Sequence, residues 1–313
     1  MASSQFVRLM VALCAACCVI GGDSVAQTED WPEVVVIKGR KAVAPAMWRA
    51  QKGEAQITIL GVLPVFPKAQ AWNTKRVENA LRGANVLVTP ATSEFGAGDV
   101  ASFVMRKGLS GGQTLSSALP PALYQRYEAT ARRVQISTRD FQHDKPVWAG
   151  VRLRREVLQK VRLTDDEPVA TVRRLAGRAG VPVRAAARYD MGKIIKDVNG
   201  MDKAASEACL VYTLNDIDFD LGRAPKVGAA WAVGDLGTVR DLYQGGALAN
   251  CLSGSGKGAN LVQRSITDTL VAIDKAARKP GKSVVIVPMA ALLRRGGVLE
   301  QLRARGYEIS SPD

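Results

Sequence analysis

The chain has 313 residues and a formal net charge of +14 at pH 7, because 43 lysine and arginine residues outnumber 29 aspartate and glutamate residues. It contains a single histidine, which excludes any site within one subunit that needs two or three imidazole ligands. The length suffices for one large domain or two small ones.

The N-terminus has the pattern of a secretory signal peptide. One cation, Arg8, precedes an apolar run over residues 9–20. As a helix this run would span about 18 Å, which is too short to cross the roughly 30 Å of bilayer hydrocarbon. Ser24-Val25-Ala26 supplies the small residues that signal peptidase reads. We therefore expect cleavage after Ala26 and a periplasmic or secreted protein; an uncleaved anchor and a lipoprotein signal are the alternatives.

Removal of the signal peptide, residues 1–26, leaves residues 27–313, for which we predict one α/β domain and no transmembrane segment. Two cysteines remain, Cys209 and Cys251. In an oxidising compartment we expect them to form a disulfide, and two unpaired buried thiols are the alternative.

The excess of positive charge bears on the partners of the protein. Export removes the main argument for nucleic acid as a partner, and leaves anionic polysaccharide, lipopolysaccharide or a phospholipid surface as the available polyanions. The arginines are scattered along the chain, for example at Arg132-Arg133 and Arg294-Arg295. This distribution favours a solvated surface without a specific anion site, and a polyanion site is the alternative.

The predicted elements begin with a buried strand over residues 57–60, which ends at Gly61 and Pro64. Residues 72–81 have apolar side chains at helical spacing, and residues 86–88 form the next strand. This strand–loop–helix–strand order predicts parallel pairing, because a crossover helix returns the chain to the same edge of the sheet.

The middle of the chain is predicted to be mostly helical, after a segment of hairpin and loop over residues 91–117. Thr164-x-x-Glu167 followed by Pro168 predicts a capping box that opens a helix, and Asp202 is the predicted cap of another. The helices are predicted over residues 116–133, 152–162, 169–180, 202–221 and 229–243.

The C-terminal end of the chain is predicted to be similar to the N-terminal end. A helix over residues 261–277 leads to a strand at 283–287 and a turn at 288–291. A helix at 298–303 and a last strand at 307–310 follow. Both ends therefore have the order strand, four-residue turn, helix, strand.

Three blocks of sequence follow one another along the mature chain. The first contains Met47-Trp48-Arg49, residues 57–61, Trp72 and Gly83-Ala84; the second is Ala230-Trp231-Ala232-Val233-Gly234-Asp235, between Cys209 and Cys251; the third contains Gln263-Arg264, residues 284–287 and Arg305-Gly306-Tyr307. Together they resemble the TraB/GumN family, a group related to the TIKI metalloproteases, and the second block resembles its bacterial GumN-like branch. The resemblance implies an α/β fold of TIKI/ChaN-like architecture, with a central β-sheet core from two related halves flanked by helices.

The resemblance also implies a catalytic motif, which is degenerate in this chain. The family has a glycine–x–x–histidine turn in each half, and two such imidazoles with a nearby carboxylate can hold a divalent metal. The first turn, Gly61-Val62-Leu63-Pro64, has proline in place of the histidine. The second, Pro288-Met289-Ala290-Ala291, has proline for the glycine and alanine for the histidine. Thr89-Pro90 stands where a glutamate is usual, and of the functional positions Arg264 is retained. We therefore expect no metal and no other cofactor.

Other candidate sites in the chain have simpler structural interpretations. His143 lies in a polar segment and is predicted to be a solvated loop residue rather than a member of a catalytic triad. Asp216-x-Asp218-x-Asp220 lacks the glycine and the closing carboxylate of a calcium loop, and is interpreted as the exposed acidic end of a helix. Gly254-Ser255-Gly256-Lys257-Gly258 lacks the spacing of a nucleotide-binding loop and is interpreted as a flexible connection.

Three hypotheses for the function follow from this pattern. The first is a pseudoenzyme of a metalloprotease-like family that acts as a binding or scaffold protein, with an anionic envelope polysaccharide or another envelope protein as its partner. The second is an active metal-dependent hydrolase that uses carboxylate ligands. The third is a structural protein whose cleft is filled by side chains, because Pro64 and Met289 crowd the turns. Arg264 with Asp235, Glu78 or Glu94 is also a candidate polar pocket.

Overall fold

The computed structural model describes residues 43–243, 246, 251 and 261–312. The predicted signal peptide and the glycine-rich segment at 254–258 lie outside the described residues. The strands are β1 (Met47–Lys52), β2 (Ala55–Val62), β3 (Phe66–Pro67), β4 (Ala84–Thr89), β5 (Thr92–Glu94), β6 (Leu163–Thr164), β7 (Val183–Ala185), β8 (Arg188–Asp190), β9 (Gly281–Pro288) and β10 (Glu308–Ser310). The helices are α1 (Lys75–Leu81), α2 (Ala97–Arg106), α3 (Leu115–Ala118), α4 (Pro121–Arg133), α5 (Pro146–Lys160), α6 (Val169–Arg178), α7 (Met191–Asn199), α8 (Lys203–Gly222), α9 (Ala224–Ala232), α10 (Leu236–Leu242), α11 (Leu261–Ala277), α12 (Met289–Leu293) and α13 (Val298–Ala304).

A six-stranded sheet in the order β10-β1-β2-β9-β4-β7 forms the centre of the fold. Strand β1 is antiparallel to its neighbours, whereas β2, β9, β4 and β7 are parallel to one another. The side chains of Val284, Val285, Ile286 and Val287 in β9 are all buried. A strand that is apolar on both faces must be covered on both faces, which is the usual environment of parallel sheets.

Two crossover connections place the helices on this sheet. The connection β2–α1–β4 passes over β9, and the connection from β9 through α12 and α13 to β10 passes over β2 and β1 in the opposite direction. Because such crossovers are right-handed, the two groups of helices cover opposite faces. Helix α1 packs against α6, and α11 packs against α12 and α13. The α/β class and the helix-flanked central sheet expected from the sequence are therefore confirmed.

A second group of helices has its own apolar core. Helices α5 and α8 pack against each other, and α4 packs against both. The buried residues of this core are Leu115, Leu119, Tyr127, Ala131, Phe141, Ala149, Leu153, Val157, Leu210, Leu214 and Ile217. In the part of the chain that the structure describes, no helix is long and apolar enough to cross a membrane.

The structure agrees with several predicted elements and corrects others. The strands predicted at 57–60 and 86–88 are parallel, as expected, but β9 lies between them. Residues 91–117 contain helix α2 rather than a hairpin. The helix predicted over 229–243 is divided into α9 and α10 at Gly234, whose φ of 70° is left-handed and ends a helix.

Of the two helix caps predicted from the sequence, one is present in the structure and the other is not. The Asp202 carboxylate accepts a hydrogen bond from the Ala205 amide at 2.7 Å and opens α8, as predicted. The capping box predicted at Thr164 is wrong. The Thr164 hydroxyl accepts from the Asp166 amide, and the Glu167 carboxylate accepts from both the amide and the hydroxyl of Thr171.

Candidate functional site at the carboxyl edge of the sheet

The turns that begin at Gly61 and Pro288 lie side by side at the centre of the sheet. In the parallel pair β2–β9, Gly61 is opposite Val287 and Val62 is opposite Pro288. Both turns therefore leave the sheet at the same carboxyl edge. This edge is where α/β proteins with parallel strands bind their ligands.

Apolar side chains occupy the space directly over Gly61. A Cβ atom added to Gly61 would lie 2.8 Å from the Met289 Sδ atom and 2.9 Å from the Leu292 Cδ2 atom. Met289 and Leu292 are almost fully buried, at 0% and 1% exposure. The segment predicted as a turn at 288–291 enters helix α12, which directs these two side chains onto β2. The strand ends thus meet in a packed apolar contact.

The side chains at the degenerate positions do not fit a metal ion. The side chains of Pro64, Pro288 and Ala291 have no atom that can donate an electron pair to a cation, and Ala291 is buried. After β4, Thr89 is also buried, and its hydroxyl donates to the Pro90 carbonyl oxygen at 3.3 Å. Within residues 43–243 and 261–312, no three His, Cys, Asp or Glu side chains are grouped as a metal site would need.

An aromatic cluster covers the end of β2. The Trp231 indole Nε1–H donates a hydrogen bond to the Gly61 carbonyl oxygen at 2.7 Å, and this contact is buried. Phe66 and Trp72 pack edge-on against the Trp231 ring, with centroid distances of 5.2 and 5.3 Å. Trp231 belongs to the second sequence block, but nothing in its sequence neighbourhood indicates that it contacts the end of a strand 170 residues away.

Arg264 lies at this same edge because of the length of its helix. Helix α11 leads into β9, and its 17 residues span about 25 Å, nearly the length of β9. The N-terminal turn of α11 therefore returns to the carboxyl edge. There the Arg264 guanidinium stacks 4.6 Å from the centroid of the Tyr189 ring, and its Nε atom lies 3.7 Å from the Asp268 carboxylate.

Tyr189 and Asp268 complete a polar cluster with Arg264. The Tyr189 hydroxyl donates to the Asp268 carboxylate at 2.9 Å. Burial, together with this hydrogen bond, raises the pKa of Tyr189 to about 12, so its hydroxyl stays protonated at physiological pH. The side chain of Arg264 is 48% exposed, which leaves the cluster open to solvent.

The acidic partners proposed for Arg264 from the sequence have other roles. Glu78 accepts a hydrogen bond from the Thr74 hydroxyl at the start of α1, and Glu94 pairs with Arg188 at 2.9 Å. Asp235 caps α10 through the Thr238 amide and hydroxyl. The polar residues at this edge that the sequence did not identify are Tyr189 and Asp268, which carry no distinguishing motif.

The family suggested by the three sequence blocks is confirmed by comparison with family models. A family model described as the TraB/PrgY/gumN family matches residues 46–311. The chain belongs to this family. Comparison with curated proteins and with solved structures finds no match.

The disulfide of this TraB/PrgY/gumN-family protein joins Cys209 in α8 to Cys251, with a Cα–Cα distance of 5.5 Å. The predicted pairing is therefore confirmed in the structure. Cys209 is fully buried among residues of α5 and α7. In sequence, Cys251 lies between α10 and α11, the helix that carries Arg264.

Two other sequence-predicted residues or motifs can be placed on this fold. His143 is exposed, as predicted, and its Nδ1 atom lies 3.0 Å from the Gln113 carbonyl oxygen.

The interpretation of residues 216–220 as an exposed acidic end is wrong for two of the three aspartates. Asp216 and Asp220 are buried, because their four-residue spacing puts both on the face of α8 that packs on α5, where Arg154 pairs with Asp220 at 2.8 Å.

Substitution of Gly61 by alanine tests whether the strand end is filled. The added methyl group must displace Met289 and Leu292, and we expect the free energy of unfolding to fall by about 1–3 kcal/mol. Gly177→Ala is the matched control, because this exposed helical glycine has no atom within 4 Å of the added Cβ. It should be neutral or stabilising. Equal stability of the two variants in urea unfolding would show that the space over Gly61 is open.

Proposed function

We propose that this TraB/PrgY/gumN-family protein is exported and works as a catalytically degenerate binding or scaffold protein of the cell envelope. The observation that carries the proposal is the packed contact of Met289 and Leu292 with Gly61. A hydrolytic metal centre needs ligands and an open position for water. The side chains of Pro64, Pro288 and Ala291 offer no ligand, and Met289 and Leu292 occupy the space over Gly61.

Export is supported by the sequence of the N-terminus and is compatible with the disulfide. The cation, the short apolar run and Ser24-Val25-Ala26 have the order of a cleavable signal. Stable disulfides are typical of oxidising compartments outside the cytoplasm. The proposed mature protein begins at Gln27.

The polar cluster of Arg264, Tyr189 and Asp268 is the proposed contact surface at the carboxyl edge. It offers a partly exposed guanidinium supported by an aromatic face, a combination that binds carboxylate-bearing or hydroxyl-rich ligands. In this proposal the partner is an anionic envelope polysaccharide or another envelope protein, and the fold presents the ligand without cleaving it.

Metal analysis of the protein purified without a tag from its native compartment tests the loss of catalysis. We expect less than about a tenth of an equivalent of any transition metal, because the donor atoms are missing. The intact mass of the same sample should correspond to residues 27–313. A mass that includes residues 1–26 would contradict cleavage after Ala26 and favour an uncleaved anchor.

A stoichiometric metal that resists mild chelation would overturn the degenerate-site proposal and favour a hydrolase with carboxylate ligands.

Arg264→Ala tests the contact surface separately. We expect it to reduce retention of the protein on envelope polysaccharide, whereas the exposed Arg303→Ala serves as a control for loss of one positive charge. Unchanged retention in Arg264→Ala would exclude the cluster as the contact surface for polysaccharide.

A further inference from the structure

A solvent-open pocket of about 630 Å³ lies at the opposite edge of the sheet from the degenerate turns. It is lined by Lys52 at the end of β1, by Asp274, Ala277 and Arg278 around the end of α11, and by Arg305 and Tyr307 before β10. Strand β2 has eight residues, so the two edges are about 26 Å apart. The pocket is therefore separate from the polar cluster at Arg264.

Asp274 neutralises one of the three cations of this pocket. One of its carboxylate oxygens pairs with the Arg305 guanidinium at 2.5 Å, and the other accepts a hydrogen bond from the Tyr307 hydroxyl at 2.9 Å. Burial and this hydrogen bond raise the pKa of Tyr307 well above its usual value, so the hydroxyl remains a donor. The single negative charge of Asp274 offsets the charge of Arg305 and leaves the other two cations of the pocket without a compensating carboxylate.

Lys52 is held in place without a carboxylate. Its ammonium donates to the Arg305 carbonyl oxygen at 2.9 Å and lies 5.1 Å from the centroid of the Tyr307 ring. An ammonium has three N–H donors, so two remain after this contact. The carboxylates nearest along the sheet, Glu54 and Glu308, do not line the pocket.

Arg278 is the second cation without a carboxylate. Within the described residues it forms no hydrogen bond or ion pair, and all five of its N–H donors are available. Helices α11 and α13 end at this pocket, and their carbonyl ends contribute about half a negative charge each. The three cations, the Asp274 carboxylate and the two helix ends together leave the pocket with a net charge of about +1.

We propose that this pocket binds an oxyanion, a phosphate or a sugar carboxylate, between Lys52 and Arg278. The fixed ammonium supplies two N–H donors, and the guanidinium supplies a planar pair of donors that matches the two oxygens of a carboxylate or phosphate. Binding at this site does not depend on the catalytic state of the turns at the other edge.

Titration calorimetry with inorganic phosphate and with glucuronate tests the site, with glucose as the neutral control. We expect at least one anion to bind with an affinity that falls as salt is added, and glucose not to bind. The anion that binds identifies the source of the oxyanion. Absence of binding by both anions at millimolar concentration would overturn the proposal.

Two variants locate the bound anion. Arg278→Ala removes an exposed side chain that has no protein partner in the described part of the chain, so the fold should be unaffected, and we expect the affinity to fall at least about tenfold. Lys52→Gln should weaken binding to a similar degree. Lys279→Ala is the matched control, because this neighbouring cation is exposed but does not line the pocket. An equal loss of affinity in Lys279→Ala and Arg278→Ala would show attraction by surface charge alone and would overturn the site.

Discussion

Replacement of Trp231 by alanine is expected to lower the free energy of unfolding by about 3–5 kcal/mol. The side chain is 1% exposed, so its removal leaves a large cavity at the end of β2. The same change removes two edge-on aromatic contacts, with Phe66 and Trp72, and the donor to the Gly61 carbonyl oxygen. The measurement is urea unfolding followed by far-ultraviolet circular dichroism.

Trp231→Phe separates the hydrogen bond from the packing. Phenylalanine keeps an aromatic ring in the cluster but has no N–H donor, and we expect a loss of about 1–2 kcal/mol. Tyr212→Ala is the control for aromatic removal at the surface, because Tyr212 is 43% exposed, and it should change stability by less than about 0.5 kcal/mol. If Trp231→Ala were as mild as Tyr212→Ala, the aromatic cluster would not hold the strand end.

Removal of the disulfide by the double substitution Cys209→Ala and Cys251→Ala is expected to lower the free energy of unfolding by about 4 kcal/mol. The two cysteines are 42 residues apart in sequence, and the bridge restricts a loop of that length in the unfolded chain. Urea unfolding of the oxidised protein and of the double variant measures the difference.

A reducing agent supplies the control for the disulfide. It should lower the stability of the native sequence by nearly the same amount and leave the double variant unchanged. If the double variant had the same free energy of unfolding as the oxidised protein, the bridge would restrict little of the unfolded chain. A variant that is destabilised but still loses stability on reduction would point to a different origin of the effect.

The fold separates two edges with different chemistry. At the carboxyl edge, apolar side chains from α12 and the Trp231 cluster fill the centre, and the polar groups of Arg264, Tyr189 and Asp268 lie beside it. At the opposite edge, Lys52 and Arg278 face an open pocket. The carboxyl edge is therefore filled at its centre by apolar packing, whereas the opposite edge is open to solvent.

The sequence alone determined the elements whose signals are local. The buried strands at 57–60 and 283–287 have continuous apolar runs, and the helix at 261–277 has an apolar stripe at helical spacing, so all three were predicted near their observed positions. Asp202 was predicted as a cap because the side chain that caps a helix is adjacent to it in sequence. The family could be inferred from the sequence blocks, and the residue types alone show that the side chains of Pro64 and Ala291 have no metal donor.

Tertiary structure decided everything that depends on residues distant in sequence. No local pattern places β9 between β2 and β4, since strand order is set by how the crossovers pack. The buried positions of Asp216 and Asp220 follow from the packing of α8 on α5, which overrides their polarity when Arg154 is opposite. The contacts of Met289 with Gly61, Tyr189 with Arg264, and Lys52 with Arg305 likewise join segments that only the folded sheet brings together.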